Sequence, residues 1–269
     1  MTRVAACLIF LLITLSSHAE VRLEGEFMQG SLVVGSTDPG SIVVFGGDEI
    51  RVSDDGVFLI GFNRDEPENV SLVVKLPDGT IEDRVINVRA REYNIDYVEG
   101  VPVETVTPRP EDLERIRKDT ALIRKARSND DPRTDFMAGF SWPARGRISG
   151  VYGSQRIYNG EPRRPHFGLD IAAPIGTPVT APAPGIVTLT HPDMFYSGGT
   201  IMIDHGHGLS SSFLHLSKIS VETGSVVKQG QKIGEIGMSG RANGPHLDWR
   251  INLFNIRLDP QLLVSGNSQ

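Results

Sequence analysis

Apolar and polar residues alternate in short runs over much of this chain. Between Val21 and Val88 the runs SLVV, SIVVF, GVFLIGF, VSLVVKL and EDRVINV are rich in Val, Ile and Phe. TDPGS, SDDGV and LPDGT lie between several of them and supply turn-compatible backbone angles at low cost. Many short strands at close spacing predict a small β-sandwich over residues 20–91. Residues 92–139 read as a linker. It starts extended, around Pro102, Pro108 and Pro110, and then turns helical. Leu113, Ile116, Thr120, Ile123 and Ala126 recur at helical spacing, which predicts an amphipathic helix over 110–127. Glu111 and Asp112 open it, and Arg124, Lys125 and Arg127 close it, in keeping with the helix dipole. From about Phe140 the texture changes to dense Gly and Pro between apolar runs, which predicts a second all-β domain over 140–265. Within it, GSVVKQGQKIGEIG reads as hairpin-like strands with glycine corners. The fold class is therefore mainly β.

The chain has 269 residues and a formal charge of -6, which bounds it at one to two domains. No basic stretch suggests nucleic acid as a partner. Residues 1–19 combine Arg3, an apolar run from Val4 to Leu15 and the small-residue ending Ser17-His18-Ala19. That is the pattern of a secretory signal peptide cleaved after Ala19. The apolar run is too short to cross a bilayer comfortably, so no membrane anchor is expected after its removal. Cys7 is the single cysteine and would leave with the signal, so disulfides are not expected.

Candidate chemistry sits in the histidines. Of seven, all but His18 fall between residues 166 and 246, and no thiol accompanies them. That clustering suggests a metal site built from nitrogen and oxygen donors. In HFGLD, His166 and Asp170 would lie about 13 Å apart on a straight strand, too far to share an ion. A bend at Gly168 would bring them together. In GPHLDWRIN, alternation places His246, Asp248 and Arg250 on one face, with successive residues about 6–7 Å apart. In SSSFLHLS, His215 points away from Leu214 and Leu216. His191, His205 and His207 sit in loop-like surroundings and read as structural.

PHFGLDIAAPIGTPVTAPAPGIV, GGTIMIDHGHGLSSSFLHLS and GSVVKQGQKIGEIGMSGRANGPHLDWRI, in that order, resemble the LytM/lysostaphin-type zinc endopeptidases of bacteria over about residues 141–264. The resemblance implies an antiparallel β domain with a shallow groove, one Zn²⁺ and hydrolysis of peptide bonds in peptidoglycan. It implies that His166 and Asp170 are zinc ligands and that His246 and His215 are catalytic, with base and acid left open between them. It also implies a groove-side position for Arg156. The third ligand position of the family falls on Asp248, so this chain has H-x-D where the family usually has H-x-H. A carboxylate is a competent zinc ligand. A second one lowers the net charge of the centre, and the expectation is a working enzyme with an electronically softened metal. The alternative is a catalytically inactive LytM-type regulator that activates separate cell-wall amidases. The implied partners are peptidoglycan peptide stems, with a regulatory protein partner left unidentified. The implied location is the periplasm, with secretion as the alternative. The sandwich and helix could also cover the groove as a gate.

Overall fold

The computed structural model describes residues 21–99 and 108–264. The signal segment 1–19 and the Pro102 stretch lie outside the described residues. The first seven strands are β1 (Arg22–Glu24), β2 (Leu32–Ser36), β3 (Ile42–Phe45), β4 (Asp48–Ile50), β5 (Val57–Gly61), β6 (Asn69–Lys75) and β7 (Ile81–Asn87). They form two antiparallel sheets, in the orders β1-β2-β5 and β4-β3-β6-β7. Alternate residues of β2, β3, β5 and β6, among them Val33, Val43, Phe58, Ile60, Leu72 and Val74, fill the space between the sheets. Period-two alternation with one buried face is what fixes this register.

The linker is more structured than a spacer. Ile95–Val98 is a strand, β8, and a 3-10 turn at Pro110–Asp112 leads into helix α1 (Leu113–Arg127). Only the C-terminal end of the helical stripe is covered. Ile123 and Ala126 pack on Leu189, Met194 and Met202, whereas Leu113 is exposed. Arg115 pairs with Asp193, and Asp119 accepts a hydrogen bond from the Phe195 amide, so polar contacts tether the earlier turns. Among the described residues no helix is long and apolar enough to cross a membrane.

The remaining strands are β9 (Arg147–Gly150), β10 (Gln155–Tyr158), β11 (Glu161–Pro162), β12 (Leu169–Ala172), β13 (Pro178–Thr180), β14 (Gly185–Met194), β15 (Gly198–Asp204), β16 (Leu209–Ile219), β17 (Val226–Val227), β18 (Lys232–Ile236), β19 (His246–Leu253) and β20 (Ile256–Leu258). Except for β10 and β11, they make one large sheet whose main path runs β17-β14-β15-β16-β19-β12-β9. Its inner face carries Leu169, Ile171, Ile201, Phe213, Leu247, Trp249 and Ile251, all fully buried. The sandwich packs on the far end of this core: Leu59 joins it, and Arg91 pairs with Asp259 at 2.9 Å.

Three local readings are corrected. The run GSVVKQGQKIGEIG is not a hairpin, because β17 pairs with β14 while β18 pairs with β13 and β16. Glycine corners let consecutive strands diverge as readily as fold back. His191 lies within β14 rather than in a loop; the strand has register irregularities beside it, which the sequence disguised as a turn. The extended connector acquires partners as β8, which runs parallel to β10, with Ile95 opposite Gln155 and Val98 opposite Tyr158.

Candidate metal centre

The polar face of the large sheet brings the candidate residues together. β12 and β19 run antiparallel with Asp170 directly opposite Asp248 and Ala172 opposite His246. Directly opposed side chains in such a pair have Cβ atoms about 4.5–5.5 Å apart, and like charges there repel. His166 precedes β12 in an irregular stretch anchored by its own backbone: its amide donates to Ser154 O, and its carbonyl accepts from the Gly153 amide, both at 2.8 Å. The bend places His166 Nε2 3.2 Å from Asp170 Oδ1. Ligand atoms of His166, Asp170 and Asp248 all lie within 4.8 Å of one another.

The donor set fits a divalent cation. His166 Nε2 and Asp170 Oδ1 are buried, and neither has a hydrogen-bond partner despite their proximity. Two opposed carboxylates and an imidazole in a shielded place are a combination that a cation resolves. The backbone leaves room for the cluster at two glycines. A Cβ on Gly168 would lie 2.2 Å from Asp248 Oδ1, and one on Gly150 would lie 2.3 Å from Asp170 Oδ2. Burial opposes charge on His166, but the neighbouring Asp170 and Asp248 carboxylates win and raise its pKa.

Asp248 has a partner whose role the sequence did not disclose. Arg250, on the same face of β19, donates from Nε to Oδ1 and Oδ2 at 3.0 and 3.1 Å and from Nη2 to Oδ2 at 2.5 Å. Burial alone would raise the pKa of Asp248, but this guanidinium holds it at about 2. The second carboxylate thus arrives with its own cation, a charge that the H-x-D pattern alone did not include.

Two further histidines face the cluster with fixed tautomers. His215 Nδ1 donates to Ser239 O at 2.9 Å, and His246 Nδ1 donates to Gly244 O at 2.8 Å. Each ring therefore turns Nε2 toward the site, and His246 Nε2 lies 3.8 Å from Asp170 Oδ1. The rings sit 4.8 Å apart, centroid to centroid. His215 adopts a left-handed backbone with φ of 66°, rare for a non-glycine residue and common where function re-aims a side chain. Burial lowers its pKa, which keeps it neutral near pH 7, although Asp248 pulls the other way.

The other histidines do not join the cluster. His205 is fully buried between Pro184 O and Ser211 Oγ, and burial lowers its pKa to about 4. His207 packs on Phe136 in the turn after β15, and His191 accepts from the Asp193 amide at the sheet edge.

The site opens into a groove of about 1270 Å³. That exceeds the ~300–1,000 Å³ of small-molecule pockets and suits several residues of an extended peptide. Asn94, Ile95 and Asp96 of the linker line it together with Arg156 and Tyr158, as do Arg241, Asn243 and Gly244. Among the described residues, those lining this groove include the linker strand β8 and none of the sandwich or of α1.

Comparison with known proteins agrees with this geometry. Residues 164–260 match peptidase family M23. Peptidoglycan DD-endopeptidase ShyA of Vibrio cholerae is 43% identical over 108 residues, which is 39% of this chain and 24% of the relative. DD-carboxypeptidase/endopeptidase Mpg of Neisseria meningitidis is 41% identical over 97 residues, 36% of this chain and 22% of the relative. The match thus spans about a quarter of these curated proteins. Among solved structures, a putative peptidase M23 from Pseudomonas aeruginosa superposes with a TM-score of 0.69 at 29% identity. That superposition covers 89% of this chain and 95% of that one.

Proposed function

Because the C-terminal domain of this chain belongs to peptidase family M23, we propose that it is a zinc-dependent endopeptidase cutting peptide cross-links of bacterial peptidoglycan. The observation that carries this is the convergence of one imidazole and two carboxylates within 4.8 Å, at the floor of a peptide-sized groove. The relatives named as peptidoglycan endopeptidases support the substrate class. In this reading His166, Asp170 and Asp248 hold the cation. When bound, zinc supplies Lewis-acid chemistry, polarising a carbonyl and acidifying water. Arg250 keeps Asp248 ionised and fixes its orientation. The neutral His215 presents an unprotonated Nε2, which accepts a proton from the attacking water. His246 is placed to hand a proton to the leaving amine. The carbonyls of Ser239 and Gly244 hold Nδ1 of both rings as the donor, so each Nε2 is the atom that takes up a proton and hands it on. The leader pattern of residues 1–19 directs the protein to the periplasm.

The test is incubation of the mature protein, with its zinc content measured, on isolated peptidoglycan, followed by mass spectrometry of released fragments. Release of fragments split at cross-links supports the proposal. A zinc-loaded protein that releases nothing but stimulates an added cell-wall amidase would show it to be a regulator instead.

A further inference from the structure

Beyond Asp248, the same sheet face packs four guanidinium groups together. Arg250 follows Asp248 by two residues on β19, and Arg257 on β20 pairs with Asn252, two residues further along. Arg164 and Arg257 both stack on Phe167, at 5.5 and 5.8 Å from its centroid. Arg127 ends α1. Its neighbour Ala126 packs on Met202, Met202 pairs with Ser212, and Ser212 pairs with Arg250.

Beneath these cations lie acceptor-poor, buried donors. Ser210 and Ser212 are 2% and 3% exposed, and their hydroxyls have no hydrogen-bond partner. Arg127 Nε is buried without a partner as well. Among the described residues, only Arg250 of the four arginines is paired with a carboxylate; Arg257 donates to Asn252 Oδ1 at 3.2 Å. Burial, followed by the charges of the neighbouring guanidiniums, lowers Arg257 to about 9 and Arg127 to about 10. This concentration of positive charge occurs in a chain whose net charge is -6. Buried donors without acceptors are rare in folded proteins, and guanidinium forks match oxyanions in shape and charge.

We propose that Arg127, Arg164, Arg250 and Arg257, above Ser210 and Ser212, form a binding site for an oxyanion of the carboxylate or phosphate type. Arg164 and Arg250 also line the groove, so the site faces the path of a bound peptide and can take one of its carboxylates. That assignment of the source rests on the peptidase reading; the site itself does not.

The experiment is thermal unfolding of the mature chain in inorganic phosphate against chloride of equal ionic strength, before and after chelation of zinc. Phosphate is expected to raise the transition by a few degrees beyond chloride in both states. Arg257→Gln and Arg164→Gln should each lose that increment while retaining the wild-type circular dichroism spectrum. Arg257→Gln should also unfold at a higher temperature than wild type without phosphate, because it relieves repulsion. The proposal is overturned if phosphate does no more than chloride, if its effect disappears on chelation, or if both variants keep it. Competition then identifies the source. Displacement of phosphate by a peptide with a free carboxylate, but not by its amide, supports a substrate carboxylate; displacement by neither supports a free oxyanion. Anion binding by a protein that cleaves no peptidoglycan would leave the site standing and refute the peptidase reading.

Discussion

Replacing Arg250 by Met tests how this chain tolerates a carboxylate at the third ligand position. The Asp248 side chain is 4% exposed, and its salt bridge is to Arg250. Asp248 is held at about 2 against an ordinary 3.8, a depression of about two pH units, or about 2–3 kcal/mol of stability. Removing one member of a buried pair typically costs ~3–5 kcal/mol, because the remaining charge is left uncompensated. The metal-free Arg250→Met protein should therefore lose about 3 kcal/mol at neutral pH, a fall of about 6–12 °C in the peptidase-domain transition. A carboxylate with a depressed pKa stabilises the fold above its unfolded pKa and loses that contribution as pH falls through its folded pKa. The deficit of the variant should thus be full at neutral pH and shrink in two stages as the pH falls: first as the unpartnered Asp248 protonates, at the raised pKa that burial gives it, and then from about 4 toward 2, where the wild type loses its own contribution. Adding Asp248→Asn should recover much of the loss, since no buried charge is then left alone. Calorimetry on the four proteins of this cycle, across pH, reads each term. An Arg250→Met protein as stable as wild type at neutral pH, or a double variant no better than the single one, would refute the reasoning.

Other perturbations probe the remaining parts of the site. Gly168→Ala puts a methyl 2.2 Å from Asp248 Oδ1, so it should weaken zinc binding by at least tenfold in a competition titration while leaving the sandwich transition unchanged. His215→Ala should retain stoichiometric zinc yet lose about 10²–10⁴-fold in kcat/KM on cross-linked peptide. In the wild type, burial lowers the pKa of His215, so the rising limb of kcat/KM against pH should lie below the 6.5 of a free imidazole; a limb above that value would contradict its role as base. Asp248→His restores the family's usual donor but strands the Arg250 cation, so zinc should remain bound while Asp248→His/Arg250→Met unfolds at the higher temperature of the two.

The sequence disclosed most of this because alternation and sheet geometry share a period of two. The runs from SLVV to EDRVINV became β2, β3, β5, β6 and β7, and the alternation of GPHLDWRIN placed His246, Asp248 and Arg250 on one face as expected. The helix over 110–127 was legible from its spacing, apart from the 3-10 turn that Pro110 imposes. What stayed hidden is long-range. That Asp170 sits opposite Asp248 depends on residues 78 positions apart in sequence meeting in one register. The pairing of Arg250 with Asp248 depends on rotamers, and the arginine cluster joins α1, the segment before β12, and β20. Pairing of β8 with β10 was invisible for the same reason: four residues of mixed polarity, IDYV, become a strand only because an edge is available.

X-ray absorption spectroscopy of the zinc-reconstituted mature chain addresses the ligand set directly. The account predicts one zinc per chain with a single imidazole nitrogen and carboxylate oxygens in its inner sphere, and loss of that ion from His166→Ala, Asp170→Ala and Asp248→Ala alike. Two or more imidazoles around the metal, or full zinc affinity in Asp248→Ala, would contradict it.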